Sequence, residues 1–125
     1  MEPTQIIILI FAALFIGLKI KKHFAAKSLQ NYSPSQVKQM LKDRKDIVLI
    51  DVRTAGERNF GFIKPSIHIP LHEISVKSDQ LSKYKSREII CYCQSGSRSV
   101  SAAIKLSKMG FNASNMVGGY SSWQD

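Results

Sequence analysis

Ile89-Ile90-Cys91-Tyr92-Cys93-Gln94-Ser95-Gly96-Ser97-Arg98-Ser99 is the stretch on which the fold turns. It opens with a continuous apolar run, which suits a strand covered on both faces, as in a parallel sheet. Small residues follow, and from Ser97 to Met109 the chain reads as a helix packing through Val100, Ala103, Ile104 and Leu106 or Ser107. Strand, short loop and helix form the repeating unit of α/β layers, whose ligands sit beyond the carboxyl ends of the strands. Cys93 falls at that edge. Ser95, Gly96 and Ser97 are small enough for the backbone to curl until its N–H groups converge on an anion. The positive end of the following helix and the guanidinium of Arg98 act in the same direction. These effects favour thiolate over thiol, so Cys93 is expected to be a reactive cysteine and not an inert small hydrophobe.

Working outward, Ser33-Pro34-Ser35-Gln36 supplies an N-cap, a proline at the first helical position and a capping box. The helix it opens runs to about Arg44, with Val37, Met40 and Leu41 at helical spacing. Ile47 to Asp51 is a central strand, Ala55 to Phe60 a short turn or helix, and Ile67 to Ile69 an edge strand stopped by Pro70. Leu71 to Leu81 is predicted as one helix with Leu71, Ile74 and Leu81 inward. Gly110 ends the helix begun at Ser97, Phe111 to Val117 is the last strand, and Gly118-Gly119 is a tight loop before a final turn at Tyr120 to Trp123. Ala25 to Asn31 reads as a linker. The expected fold is an α/β parallel sheet flanked by helices, preceded by one transmembrane helix.

The chain has 125 residues, enough for one compact domain of about 100 residues and little more. An apolar fraction of 44% excludes a disordered chain. Two cysteines exclude a disulfide framework and, with the histidines scattered, most structural zinc sites. No metal or cofactor is expected. His68 and His72 stand four apart, but Pro70 breaks the helix that a metal pair would need, which leaves them as polar surface. The formal charge is +9, from 18 basic and 9 acidic residues. The basic residues are dispersed, without aromatic interleaving or a helix-turn-helix pattern, so nucleic acid is not an expected partner.

Ile6 to Leu18 is apolar or small throughout and uncharged. At about 1.5 Å per residue this covers roughly 20 Å of a ~30 Å bilayer core. Residues 3–22 close the gap, because Lys19, Lys21 and Lys22 can snorkel to the headgroups. A cleaved signal peptide wants positive charge before the apolar run, where this chain offers only its amino group opposed by Glu2. The expectation is therefore a retained single-pass membrane helix, with residues 1–27 as anchor and basic flank and 28–125 as the domain. Lys19, Lys21, Lys22 and Lys27 place that domain in the cytoplasm by the positive-inside rule. Four lysines and Glu2 give residues 1–27 a charge of +3, leaving +6 on a domain held beside an anionic leaflet.

Taken in order, Asp51-Val52-Arg53 with Glu57, Gly61-x-Ile63, Ile69-Pro70, Cys93 to Ser99, and Gly118-Gly119 with Trp123 resemble the rhodanese (sulfurtransferase) family. The resemblance spans about residues 30–125. It implies that Cys93 takes a sulfane sulfur from a small donor such as thiosulfate, becomes a persulfide, and passes the sulfur to a thiol, a cyanide-like acceptor or a protein. Gln94, Ser95, Gly96, Ser97, Arg98 and Ser99 would form the loop that binds persulfide and donor, with Arg98 neutralising donor charge. This is nucleophilic catalysis in two half-reactions, with no metal. Asp51, Arg53 and Glu57 resemble the family's structural charge cluster, and Arg53 and Glu57, four apart, can pair if helical. Trp123 reads as a packing residue. Cys91 is expected to be a buried inert thiol, a resolving thiol being the alternative. The sequence departs from the family at Gly61 to Ser66, where His and then Pro-Gly-Ala would be usual. Two other activities stay open. One is a non-catalytic rhodanese-like module that recruits a partner to the membrane. The other, a cysteine phosphatase or arsenate reductase-like activity, is disfavoured because those loops are one residue longer than the four residues between Cys93 and Arg98.

Overall fold

A computed structural model describes residues 1–124, with side chains described outside 22–28. The predicted capping box forms: the Ser33 hydroxyl accepts from the Gln36 amide at 3.2 Å while Gln36 Oε1 accepts from the Ser33 amide at 2.8 Å. It starts α2, Pro34–Asp43. The parallel strands are β1 (Asn31–Tyr32), β2 (Ile47–Asp51), β3 (Ile67–His68), β4 (Glu88–Tyr92) and β5 (Asn112–Met116). Their order across the sheet is β1-β5-β4-β2-β3, so the two apolar runs lie side by side near its middle.

The pleat sorts their side chains into two cores. Val48, Ile50, Ile89, Cys91 and Cys93 face the layer that holds α5, Ser97–Lys108. Leu49, Ile90 and Tyr92 face α2 through Val37, together with Ile63 and Met116. A residue alternation of two is what places Cys91 and Cys93 on one face.

Three expectations need correction. The stretch Leu71 to Leu81 is not one helix: a 3₁₀ turn, Leu71–Glu73, follows Pro70, and regular helix resumes only as α4, Ser78–Leu81. Ser75, Val76 and Ser78 explain the break, since short polar and β-branched residues compete poorly in a helix interior and Ser78 Oγ bonds the Ser75 carbonyl. Ile74 and Leu81 still point inward. The face of α5 is rotated by one position, so Ser99 and Ala102 join Ala103 and Leu106 inside, while Val100 and Ile104 are half-buried. The linker read over Ala25 to Asn31 is shorter than expected: helix continues to Ser28 and Asn31 already opens β1, whose two residues pair with Asn115 and Met116.

Ahead of the domain lies α1, Pro3–Ser28. Its segment Pro3–Lys21 is exposed and, by length and composition, is able to cross a membrane. The snorkelling assigned to Lys22 and the flanking role of Lys27 fall outside the described side chains.

Candidate active site

The loop after β4 turns on Gly96, whose φ of 116° lies in the region that a side chain resists. That conformation aims the Gly96 amide at Cys93 Sγ, 3.0 Å away. Ser99, in the first turn of α5, places its hydroxyl 3.4 Å from the same sulfur. Cys93 has no exposed surface. Burial by itself pushes the thiol up, but the Ser99 hydroxyl and the amides of Ser99, Gly96 and Ser95 outweigh it, and the thiol lies below its ordinary value. Cys91 has burial without such donors and is pushed up to about 12, which makes it the inert thiol of the pair.

The loop is held from three sides. Beneath it, Tyr120 and Ser121 donate backbone bonds to the carbonyls of Cys93 and Gln94 at 2.7 and 3.0 Å. Gly119 permits that approach, because a Cβ there would collide with the Cys93 carbonyl. On a second side, Arg53 is 1% exposed and donates to Gln94 Oε1 at 3.1 Å and to the Gly61 carbonyl at 2.7 Å. Its charge is balanced by Asp51, which accepts from Arg53 Nε and Nη2 at 3.0 Å each. Burial pushes Asp51 up, yet the Arg53 bonds win and its carboxyl lies below the usual range. On the third side, Glu57 of α3, Ala55–Asn59, grips both terminal nitrogens of Arg98 at 2.6 and 2.8 Å. This pairing brings Glu57 down to about 2.

Rhodanese-like domains match residues 33–125 of this chain. The chain belongs to the rhodanese-like family. A sulfurtransferase of Allochromatium vinosum is 34% identical over 86 residues, 68% of this chain and 78% of that protein. A protein named thiosulfate sulfurtransferase GlpE from Coxiella burnetii is 28% identical over 85 residues, 67% of this chain and 78% of its own. Among solved structures, a rhodanese-like domain protein from Staphylococcus aureus superposes with a TM-score of 0.72 at 27% identity, covering 78% of this chain and 93% of that one. At family level the role is that of a rhodanese-type sulfurtransferase.

Within this rhodanese-like domain the predicted residues converge: Cys93 and the Gln94–Ser99 loop form one cradle, and Asp51, Arg53 and Glu57 brace it. The bracing differs from the expected pattern in one respect. Arg53 does not pair with Glu57, because Thr54 caps α3 and turns Glu57 toward Arg98 instead. The capping box Thr54-Ala55-Gly56-Glu57 is the sequence signal that would have shown this. Residues not singled out beforehand complete the frame. Arg58 bonds Asp51 and Ser66 at 3.1 Å each, the Tyr92 hydroxyl bonds Asp51 at 3.0 Å, and Asn115 accepts from Ser99 at 2.6 Å. His68 is not merely polar surface: its Nε2 lies 2.7 Å from the Arg53 carbonyl. The departure at Gly61 to Ser66 is absorbed, since Ile63 is buried and its amide donates to the Tyr92 hydroxyl at 3.1 Å.

Proposed function

We propose that this protein moves sulfane sulfur through a persulfide on Cys93. The supporting observation is the sulfur itself, buried at the end of β4 with the Gly96 amide 3.0 Å away. Donors fixed around a sulfur hold negative charge there without reorganising, as transition-state stabilisation requires. In the first half-reaction the Cys93 thiolate attacks the outer sulfur of thiosulfate, forming Cys93–S–S⁻ and releasing sulfite with the electron pair of the broken S–S bond. In the second, a thiolate or cyanide takes the terminal sulfur and returns the Cys93 thiolate. Gln94, Ser95, Gly96, Ser97, Arg98 and Ser99 bind the donor and the persulfide. Residues 1–27 anchor the protein as a single-pass membrane helix over about residues 3–22, and residues 28–125 form the domain on the cytoplasmic side.

Intact-mass measurement of the full-length protein after incubation with thiosulfate tests the chemistry. One added sulfur, removed by dithiothreitol and absent in Cys93→Ser, is expected. Equal loading of Cys93→Ser would move the chemistry elsewhere. No loading, with a stable partner complex insensitive to Cys93→Ser, would make the protein a recruitment module.

A further inference from the structure

We propose that Asn115 is a positioning residue for Cys93: by holding the single proton of the Ser99 hydroxyl, it sets how far that hydroxyl can donate to a sulfur anion. The inference takes Cys93 as the nucleophile, as proposed above.

The direction of each bond follows from groups that have no choice. The Leu29 carbonyl only accepts, so Asn31 must turn Nδ2 toward it, at 2.9 Å. That leaves Asn31 Oδ1 facing Asn115, whose Nδ2 must be the donor there, at 3.0 Å. Asn115 Oδ1 is then aimed at Ser99, which supplies the proton at 2.6 Å. A hydroxyl has one proton. While it lies on Asn115, Ser99 offers the sulfur only lone pairs, which suit an S–H donor and not an anion.

The thiolate therefore faces a conflict that the thiol does not. Either Ser99 keeps its bond to Asn115 and the sulfur is left to the backbone amides, the Gly96 amide at 3.0 Å among them, or Ser99 turns to the sulfur and strands Asn115 Oδ1, 3% exposed as a residue, without a partner. The Gly96 carbonyl is an amide oxygen of the same kind but lies farther from Ser99 Oγ, at 3.1 Å against 2.6 Å for Asn115 Oδ1, and so competes less well for the proton. The charged and titratable groups near the loop are Arg98 on α5, Glu57 on α3 that pairs with it, Arg53 bonded to Gln94, Asp51 at the end of β2, and Cys91 on β4. Cys91 faces Asn115 across the β4–β5 ladder and stays protonated, and among the described residues no hydrogen bond joins Asn115 to a charged group. The influence of Asn115 on the sulfur runs through Ser99 alone.

The experiment is a titration of thiolate absorbance in the full-length protein between about pH 5 and 9, a range in which Cys91 stays protonated. Asn115→Leu keeps the branched shape and heavy-atom count of the side chain and removes the acceptor. The midpoint should move to lower pH, and alkylation of Cys93 on the acid side should rise roughly threefold. Asn31→Ala, at an exposed position that does not endanger folding, should act in the same direction by letting the Asn115 amide turn. In a Ser99→Ala background Asn115→Leu should move nothing, which a general loosening of the site would not reproduce. A midpoint unmoved or raised in both single variants overturns the proposal, as does an equal fall in the Ser99→Ala background. Failure of the persulfide reading is seen separately: a wild-type protein that takes no sulfur from thiosulfate sinks that chemistry, while the titration still decides the role of Asn115.

Discussion

Gly96 carries two duties at once, a backbone twist and a donor. At φ 116° an alanine is strained by about 1–2 kcal/mol, and relieving that strain moves the amide away from the sulfur. Gly96→Ala should lower sulfur-transfer turnover roughly a hundredfold, the order seen when one fixed donor to a developing anion is lost. Turnover with thiosulfate and cyanide, beside a thermal melt to separate activity from stability, reads this out. The Glu57–Arg98 pair gives a pH signature of defined sign. Glu57 sits at about 2, below the ordinary carboxylate value, so its contribution is complete above about pH 4.5 and disappears as pH falls through about 2. Both partners remain about a third exposed, which limits the pair to about 1 kcal/mol. Glu57→Gln should therefore destabilise by that amount near neutrality and converge with wild type in strong acid, as measured by urea unfolding across pH. The Cys93 loop was legible beforehand because its chemistry is written in adjacent residues. The partner of Glu57 was not, because 41 residues separate it from Arg98 and only the folded sheet brings them together.

At the level of elements, the two central strands could be read from apolar runs because both faces of each are covered. The helix expected over Leu71 to Leu81 failed for a local reason: Ser75, Val76 and Ser78 interrupt it while Ile74 and Leu81 satisfy the core from separate turns. Burial was legible there and backbone geometry was not. β1 escaped notice because two polar-edged residues, Asn31 and Tyr32, carry no period; their strand character comes from pairing with β5. The ends of β2 and β4 are tied to the loops above them chiefly by Arg53. Its removal leaves Asp51 buried with Arg58 and Tyr92 as remaining side-chain partners and frees Gln94. Arg53→Met should thus cost about 3 kcal/mol, since the buried Asp51 charge loses its two-point partner and keeps only Arg58 and Tyr92, both on Oδ2. Chemical denaturation measures the loss, and a drop in sulfur loading larger than the unfolded fraction would show the loop displaced as well.

For the whole molecule, the division between α1 and the domain makes a topological prediction. With the domain on the cytoplasmic side, protease added to intact cells should leave it whole, and the same protease on inside-out vesicles should remove it. The opposite pattern would reverse the orientation and overturn the placement read from Lys19, Lys21, Lys22 and Lys27. Composition made α1 conspicuous, since its apolar residues from Ile6 to Leu18 have no packing face.

The strand order carries a consequence for how the protein is made. β1 has a single neighbour in the sheet, β5, so the earliest strand to leave the ribosome is sealed only by the latest. Until Asn115 and Met116 emerge, Asn31 and Tyr32 have no edge to join, whatever α1 has already done. A ribosome stalled before Asn112 should accordingly present a nascent chain with a wet, protease-sensitive stretch just beyond α1, and release of the remaining residues should close it in one step.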